Sequence, residues 1–165
     1  MSPNEALRPM LAYNDWADEQ ILAAAESLDD ARLDQAIDVG RGTLRRVLIH
    51  TWAGEHVWVQ RWQGKSETKW PDESAAVTIA DLRERFRAAW RERDAFLATL
   101  SGADIEREVS YRDSRGSMFR ASLHDMIRQM VVHSIHHRAQ IVNILRRLGT
   151  SAPELDYMMH ARVPA

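Results

Sequence analysis

The chain has 165 residues, of which 45% are hydrophobic and 28% charged, with a net charge of -2 and a pI of about 6.4. That length suits a single domain, 1–165, around one substantial core, and the even charge balance offers no basic surface for nucleic acid. No apolar run approaches the roughly 20 residues of a membrane span, and the absence of cysteine excludes disulfides, thiolate ligands and a cysteine nucleophile.

Ser2 can cap a first helix, with Pro3 at its first position and Glu5 closing a capping box. No charged segment followed by an apolar one opens the chain, so no secretory signal is expected and a cytoplasmic protein is the default. Met10, Tyr13, Ala17, Ile21, Ala24 and Leu28 recur at helical spacing and mark the inward face to about Leu28. Asp29 to Gly42 reads as a connection. Thr43 caps a second helix that stops at Gly64. Val47, His50, Gly54, Val57 and Trp58 share one of its sides, so a histidine interrupts an apolar stripe. Gly54, one turn after His50, marks either close helix packing or room for a ligand. His56 and Glu55 point well away from His50, and Trp62 reads as packing.

Lys65 to Val77 is polar, contains Pro71 and reads as a loop. Thr78-Ile79-Ala80-Asp81 starts a third helix, with Leu82, Phe86, Ala89, Phe96 and Leu100 inward and Ser101-Gly102 at its end. Its interleaved arginines and glutamates form a solvated, ion-paired face. Ala103 to Ala121 is long for a connection in a bundle. Within it, Glu108–Arg112 and Met118–Arg120 flank Asp113–Gly116 in the pattern of a small β-hairpin. Ser122 to Asp125 caps a fourth helix that runs to Gly149, and Pro153 to Met159 forms a short last turn.

The fourth helix carries the chemistry. Met126, Met130, Ile141, Ile144 and Leu148 fall on one narrow face, yet His133 and His137 sit in its middle. At i and i+4, both imidazoles leave the same side one turn apart. Two unpaired imidazoles are costly to bury. Either protein neighbours satisfy them or a metal ion does, and the metal is the sharper reading. His136 points aside and belongs to the rim, and His124 faces the far side. Four amphipathic helices with little strand signal predict an all-α four-helix bundle, with the hairpin between the third and fourth helices. Metal sites in such bundles are built from side chains on facing helices. His50 is the other histidine on an inward stripe, so a site of His50, His133 and His137 is expected. None of the three follows a glutamate by three residues, which argues against a di-iron carboxylate centre.

The same residues carry a resemblance. Tyr13-Asn14-Asp15-Trp16-Ala17 resembles the Y-N-x-W-A signature of the DinB/YfiT-like superfamily, a group of proposed metal-dependent enzymes. Thr43, Leu48-Ile49-His50, Glu55, Trp58 and Gly64 resemble its leucine-x-histidine segment, and His133 to Ile141 resembles its H-x-x-x-H-R-G-Q segment, with Ala139 where the family has glycine. Leu148-Gly149 and Pro153 to Tyr157 continue the likeness over nearly the whole chain. The resemblance implies a four-helix bundle, often a homodimer, with a divalent metal on three histidines that map onto His50, His133 and His137.

Three imidazoles leave a tetrahedral ion one open position, the arrangement of a catalytic metal. Such an ion lowers the pKa of bound water towards about 7 and does the same for a thiol. Relatives in the superfamily include transferases and isomerases that present a low-molecular-weight thiol at the metal. With no cysteine here, that sulfur has to arrive with a cosubstrate. The expectation is therefore a metal-dependent transferase or hydrolase acting on a small-molecule substrate. Imidazole does not discriminate among zinc, nickel, iron and manganese. The alternative is a non-catalytic metal-binding stress-response or interaction protein. Asp15, Tyr13 and Arg138 are candidates for positions behind the ligands. Gln140, one turn beyond His137, is either a substrate contact or a buried amide bonded to another helix's backbone.

Overall fold

The computed structural model describes residues 3–163, with side chains from Leu7 onward, so the expected Ser2–Glu5 capping box lies outside the described residues. Four long helices form, α1 (Pro3–Ala25), α3 (Leu44–Trp62), α4 (Ile79–Ala98) and α5 (Leu123–Arg147). Between them and after them lie a one-turn helix α2 (Asp30–Leu33), a 3-10 turn (Gly102–Glu106), strands β1 (Glu108–Arg112) and β2 (Met118–Ser122), and a short α6 (Tyr157–Ala161). Three starts are fixed by side-chain caps. Thr43, Thr78 and Ser122 accept from the backbone N–H groups of Arg46, Asp81 and Asp125 at 3.2, 3.1 and 3.0 Å. Each satisfies a donor that the helix itself leaves unpaired. The hairpin is antiparallel, with Ser110 opposite Arg120 and Glu108 opposite Ser122. The connection after α1 differs from the sequence reading, because Asp29 caps a turn of helix that buries Leu33.

The helices pack as α3 on α5, α5 on α1, α1 on α4 and α4 on α3. Their interior is divided into two apolar clusters. One gathers Ile21, Leu22 and Ala25 of α1, Leu44 to Ile49 of α3, Ile79, Leu82 and Phe86 of α4, and Ile141 to Leu148 at the end of α5. The other gathers Leu11, Val59, Trp62, Leu123, Met126, Ile127 and Met130, with Phe96 and Leu97 against it and Ile105 and Val109 closing it from the 3-10 turn and β1. The C-terminal halves of α1 and α5 therefore share an end with the N-terminal halves of α3 and α4. α1 and α5 run one way, α3 and α4 the other. Because α3 and α4 are parallel neighbours, residues 63–78 must travel back along the bundle, and Val77 ends in the cluster that holds Leu44. Met10, expected inward, is 40% exposed instead, because Leu11 and Asn14 take the buried side at this level of α1.

A layer of buried polar groups separates the two clusters. Asn14 donates to Asp18 at 3.1 Å and to Glu55 at 2.6 Å. Glu55 also accepts from Ser134 of α5 at 2.9 Å and from the Trp90 indole of α4 at 3.0 Å. Arg138 of α5 donates to Asn14 Oδ1 at 2.8 Å and to Asp18 Oδ1 at 2.9 Å, with side chains 2% and 0% exposed. Burial pushes the Asp18 carboxyl well up, and the Arg138 charge works against that shift. Removing one member of a buried pair leaves an uncompensated charge, at a cost of about 3–5 kcal/mol. Arg138→Ala is therefore expected to lower the urea midpoint by a corresponding amount with an unchanged slope. A midpoint equal to that of the wild type would show that the layer contributes nothing to stability.

Candidate metal centre

His50 leaves α3 one turn below the polar layer, while His133 and His137 leave α5 immediately before Ser134 and Arg138, which belong to it. One side of each helix is bonded into the layer, and the other side turns the imidazoles toward one point. One ring nitrogen from each of the three lies within 4.8 Å of the others. His50 Nε2 and His133 Nε2 face each other at 3.3 Å. The rings of His50 and His133 are each 4.4 Å from that of His137, centroid to centroid.

What stands behind each ring decides which nitrogen it presents. His50 Nδ1 lies 2.6 Å from Glu73 Oε1. A carboxylate only accepts, so His50 Nδ1 carries a proton and Nε2 is the nitrogen turned inward. His137 Nδ1 lies 2.8 Å from Gln140 Oε1, which likewise places a proton on that Nδ1. His133 Nδ1 is buried and makes no hydrogen bond among the described residues. Burial, reinforced by the neighbouring imidazoles, pushes His133 down to about 3. Burial also pushes His137 down to about 4, against the bond to Gln140. Both rings are thus neutral near pH 7. Two neutral imidazoles, one of them incompletely satisfied by protein, beside a third ring that turns Nε2 to the same point, match the donor chemistry of a divalent cation. The three residues can hold a metal ion.

Gly54 makes room for this arrangement. A Cβ there would stand 2.3 Å from His133 Cε1 and 2.6 Å from its Nδ1. The His133 ring of α5 therefore fills that space, which is the close-packing reading of Gly54 rather than room for a bound ligand. A second glycine serves Gln140. Gly40 has φ +57, a conformation that favours glycine, and a Cβ there would lie 2.5 Å from Gln140 Oε1. Gln140 therefore supports His137 rather than bonding another helix's backbone, and its amide nitrogen lies 3.0 Å from His136 Nε2 at the exposed rim.

His56, His124 and His160, and the acids Asp15 and Glu55, have partners outside the triad. His56 stacks on Trp52, His124 approaches Glu106 at 3.4 Å, and His160 meets Trp16 and Tyr13. Asp15 pairs with Arg93 at 2.6 Å, Tyr13 donates to the Leu155 carbonyl at 2.6 Å, and Glu55 is spent in the polar layer. Sequence reasoning missed Glu73, Arg41 and Trp70. Arg41 donates to both Glu73 oxygens at 2.8 and 2.9 Å, and the Trp70 indole donates to Oε1 at 2.7 Å. Burial opposes charge on Glu73, but bonds from Arg41, His50 and Trp70 prevail and hold it at about 2. The signal available beforehand was indirect: a ligating histidine needs an acceptor at its other nitrogen, and Glu67, Asp72 and Glu73 all lay in the loop.

Fold and site together define a four-helix bundle with a histidine cluster at mid-height that can carry a metal. A model of the DinB family matches residues 1–164, and the chain belongs to that family. Protein DinB of Bacillus subtilis strain 168 is 19% identical over 155 residues, covering 90% of this chain and 89% of that protein. A DinB-like protein from Bacillus cereus ATCC 10987 superposes with a TM-score of 0.66 at 21% identity, over 84% of this chain and 90% of that one. A DinB family member from Shewanella denitrificans gives 0.61 at 21% identity, over 94% and 88%. At these identities the two structures share the fold.

Two outcomes follow from the geometry. Gly54→Ala is expected to keep the helical circular dichroism but to displace His133, so that uptake of a divalent cation, followed by equilibrium dialysis, weakens. Uptake equal to that of the wild type would refute the spatial role of Gly54. The second concerns pH. Unfolded imidazoles take up protons below their ordinary value of 6.5, whereas folded His137 and His133 do so only near 4 and 3. The unfolded state binds more protons in that interval, so stability of the metal-free protein falls as pH drops from about 6.5 towards 3. Urea denaturation at about pH 7 and about pH 5 is expected to show a loss that shrinks in His133→Asn.

Proposed function

We propose that His50, His133 and His137 bind one divalent cation through Nε2, and that the protein is a metal-dependent transferase or hydrolase. Its nucleophile is a low-molecular-weight thiol supplied by a cosubstrate, or water. The observation that carries this reading is the convergence of three ring nitrogens within 4.8 Å, with two of the rings held at Nδ1 by Glu73 and Gln140. A divalent ion held by these three imidazoles would lower the pKa of a bound water or thiol towards neutrality. The chain's own groups prepare the site. Depressed basicity keeps His133 and His137 unprotonated and available as donors. The Trp70 ring packs beside the His50 ring, 5.0 Å away centroid to centroid. With zero cysteines, the chain offers no thiol of its own, so a nucleophilic sulfur would have to arrive with a cosubstrate.

Elemental analysis and cobalt substitution test the proposal together. The wild type is expected to take up one divalent ion per chain, and His133→Ala to take up none while its helical signal persists. Adding a low-molecular-weight thiol to the cobalt form is expected to shift its visible spectrum. An unchanged metal content in His133→Ala would overturn the ligand assignment. A cobalt spectrum indifferent to thiols would remove the thiol branch and leave water as the nucleophile.

A further inference from the structure

We propose that Glu73 is a positioning residue for the metal centre: it holds His50 in the tautomer and orientation that present Nε2, and so couples metal affinity to the connection that runs back along the bundle. The proposal rests on the metal reading above. Three observations carry it. First, Glu73 is 8% exposed although it lies in a polar loop, so its carboxylate has been drawn inward and desolvated. Second, both its oxygens are engaged. Oε1 accepts from His50 Nδ1, Trp70 Nε1 and Arg41 Nη2 at 2.6, 2.7 and 2.9 Å, and Oε2 accepts from Arg41 Nε at 2.8 Å. A carboxylate so occupied has little capacity left to ligate a cation or take a proton from substrate, which leaves the imidazole as the group it serves. Third, its partners come from three separate parts of the chain. His50 is on α3, Arg41 precedes α3, and Trp70 lies on the same connection as Glu73. The clasp therefore pins two connections to the one ligand that α5 does not supply.

The physical role is that of an acceptor behind a ligating histidine. Such an acceptor fixes the ring's rotation and raises its donor strength, and its loss costs about 10- to 100-fold in metal affinity. Gln140 fills the equivalent place behind His137 with a neutral oxygen, and His133 has no such partner among the described residues. Among the described residues, charge-assisted support of the site is thus found at His50.

The test compares wild type, Glu73→Ala, Glu73→Gln and Arg41→Ala in the full chain, with Co(II) as the probe in competition against a chelator. Glu73→Ala is expected to lose about 10- to 100-fold in affinity. Glu73→Gln keeps an oxygen of similar reach but no charge, and is expected to fall between it and the wild type. Arg41→Ala, which touches the carboxylate and not the ring, is expected to show a smaller loss. Nitrogen-15 shifts of the metal-free wild type are expected to place the His50 proton on Nδ1, a readout that needs no variant to fold. Equal Co(II) affinity in wild type and Glu73→Ala, or a His50 proton on Nε2 in the wild type, would overturn the role of Glu73 and leave the three-histidine site standing. A wild type that takes up no Co(II) would overturn both.

Discussion

The buried bonds among Arg138, Asp18, Asn14, Glu55, Ser134 and Trp90 set the rotation of every helix that matters to the site. Apolar side chains pack without strong directional demands, so two greasy helices can slide or turn against each other at little cost. A carboxylate that accepts from an amide, a hydroxyl and an indole on three other helices does not permit that freedom. Ser134 and Arg138 directly follow His133 and His137, and Glu55 directly follows Gly54. Satisfying the layer therefore turns the two candidate ligands of α5, and the gap opposite them in α3, toward each other. The layer lies between the two apolar clusters, which exclude water from it on both sides.

The direction of the helices has an equally concrete consequence. Since α3 and α4 are parallel neighbours, their connection cannot be a tight turn and must retrace the bundle. On its way it delivers Trp70 and Glu73 to His50. The connection before α3 contributes Arg41 to Glu73, and the tight approach of Gly40 to Gln140. Metal-ligand candidates thus sit on rigid helices while the groups that orient them come from the connections. Precision in the ligand positions rests on helix packing, and fine adjustment rests on segments that are easier to move.

Much of this was legible in the residue order. The four long helices announce themselves by period, and three of them also by a cap, because Thr43, Thr78 and Ser122 sit just ahead of apolar stripes. The hairpin at Glu108–Ser122 follows from turn residues between two short runs. His50, His133 and His137 stand out because each interrupts an apolar face, and a period of 3.6 residues suffices to put two of them on one side. Met10 misled for a local reason: the stripe of α1 is carried by Leu11 and Asn14 at that level, and a polar asparagine does not look like a core residue until its partners are known. Gln140 was placed on the right face, yet its partner was not apparent, since an amide carries no preference for an imidazole over a carbonyl.

Local chemistry therefore determined which segments become helices, where they begin, and which imidazoles have to be satisfied away from water. The tertiary structure alone decided that the polar layer joins four helices, that Gly54 is the space for His133, and that Glu73, rather than Glu67 or Asp72, stands behind His50. The division has one physical cause. Periodicity and capping act over a few residues and are written into neighbouring positions, whereas the bonds of Glu73 to Arg41 and of Arg138 to Asn14 cross many residues of chain and exist only once the helices have taken their directions.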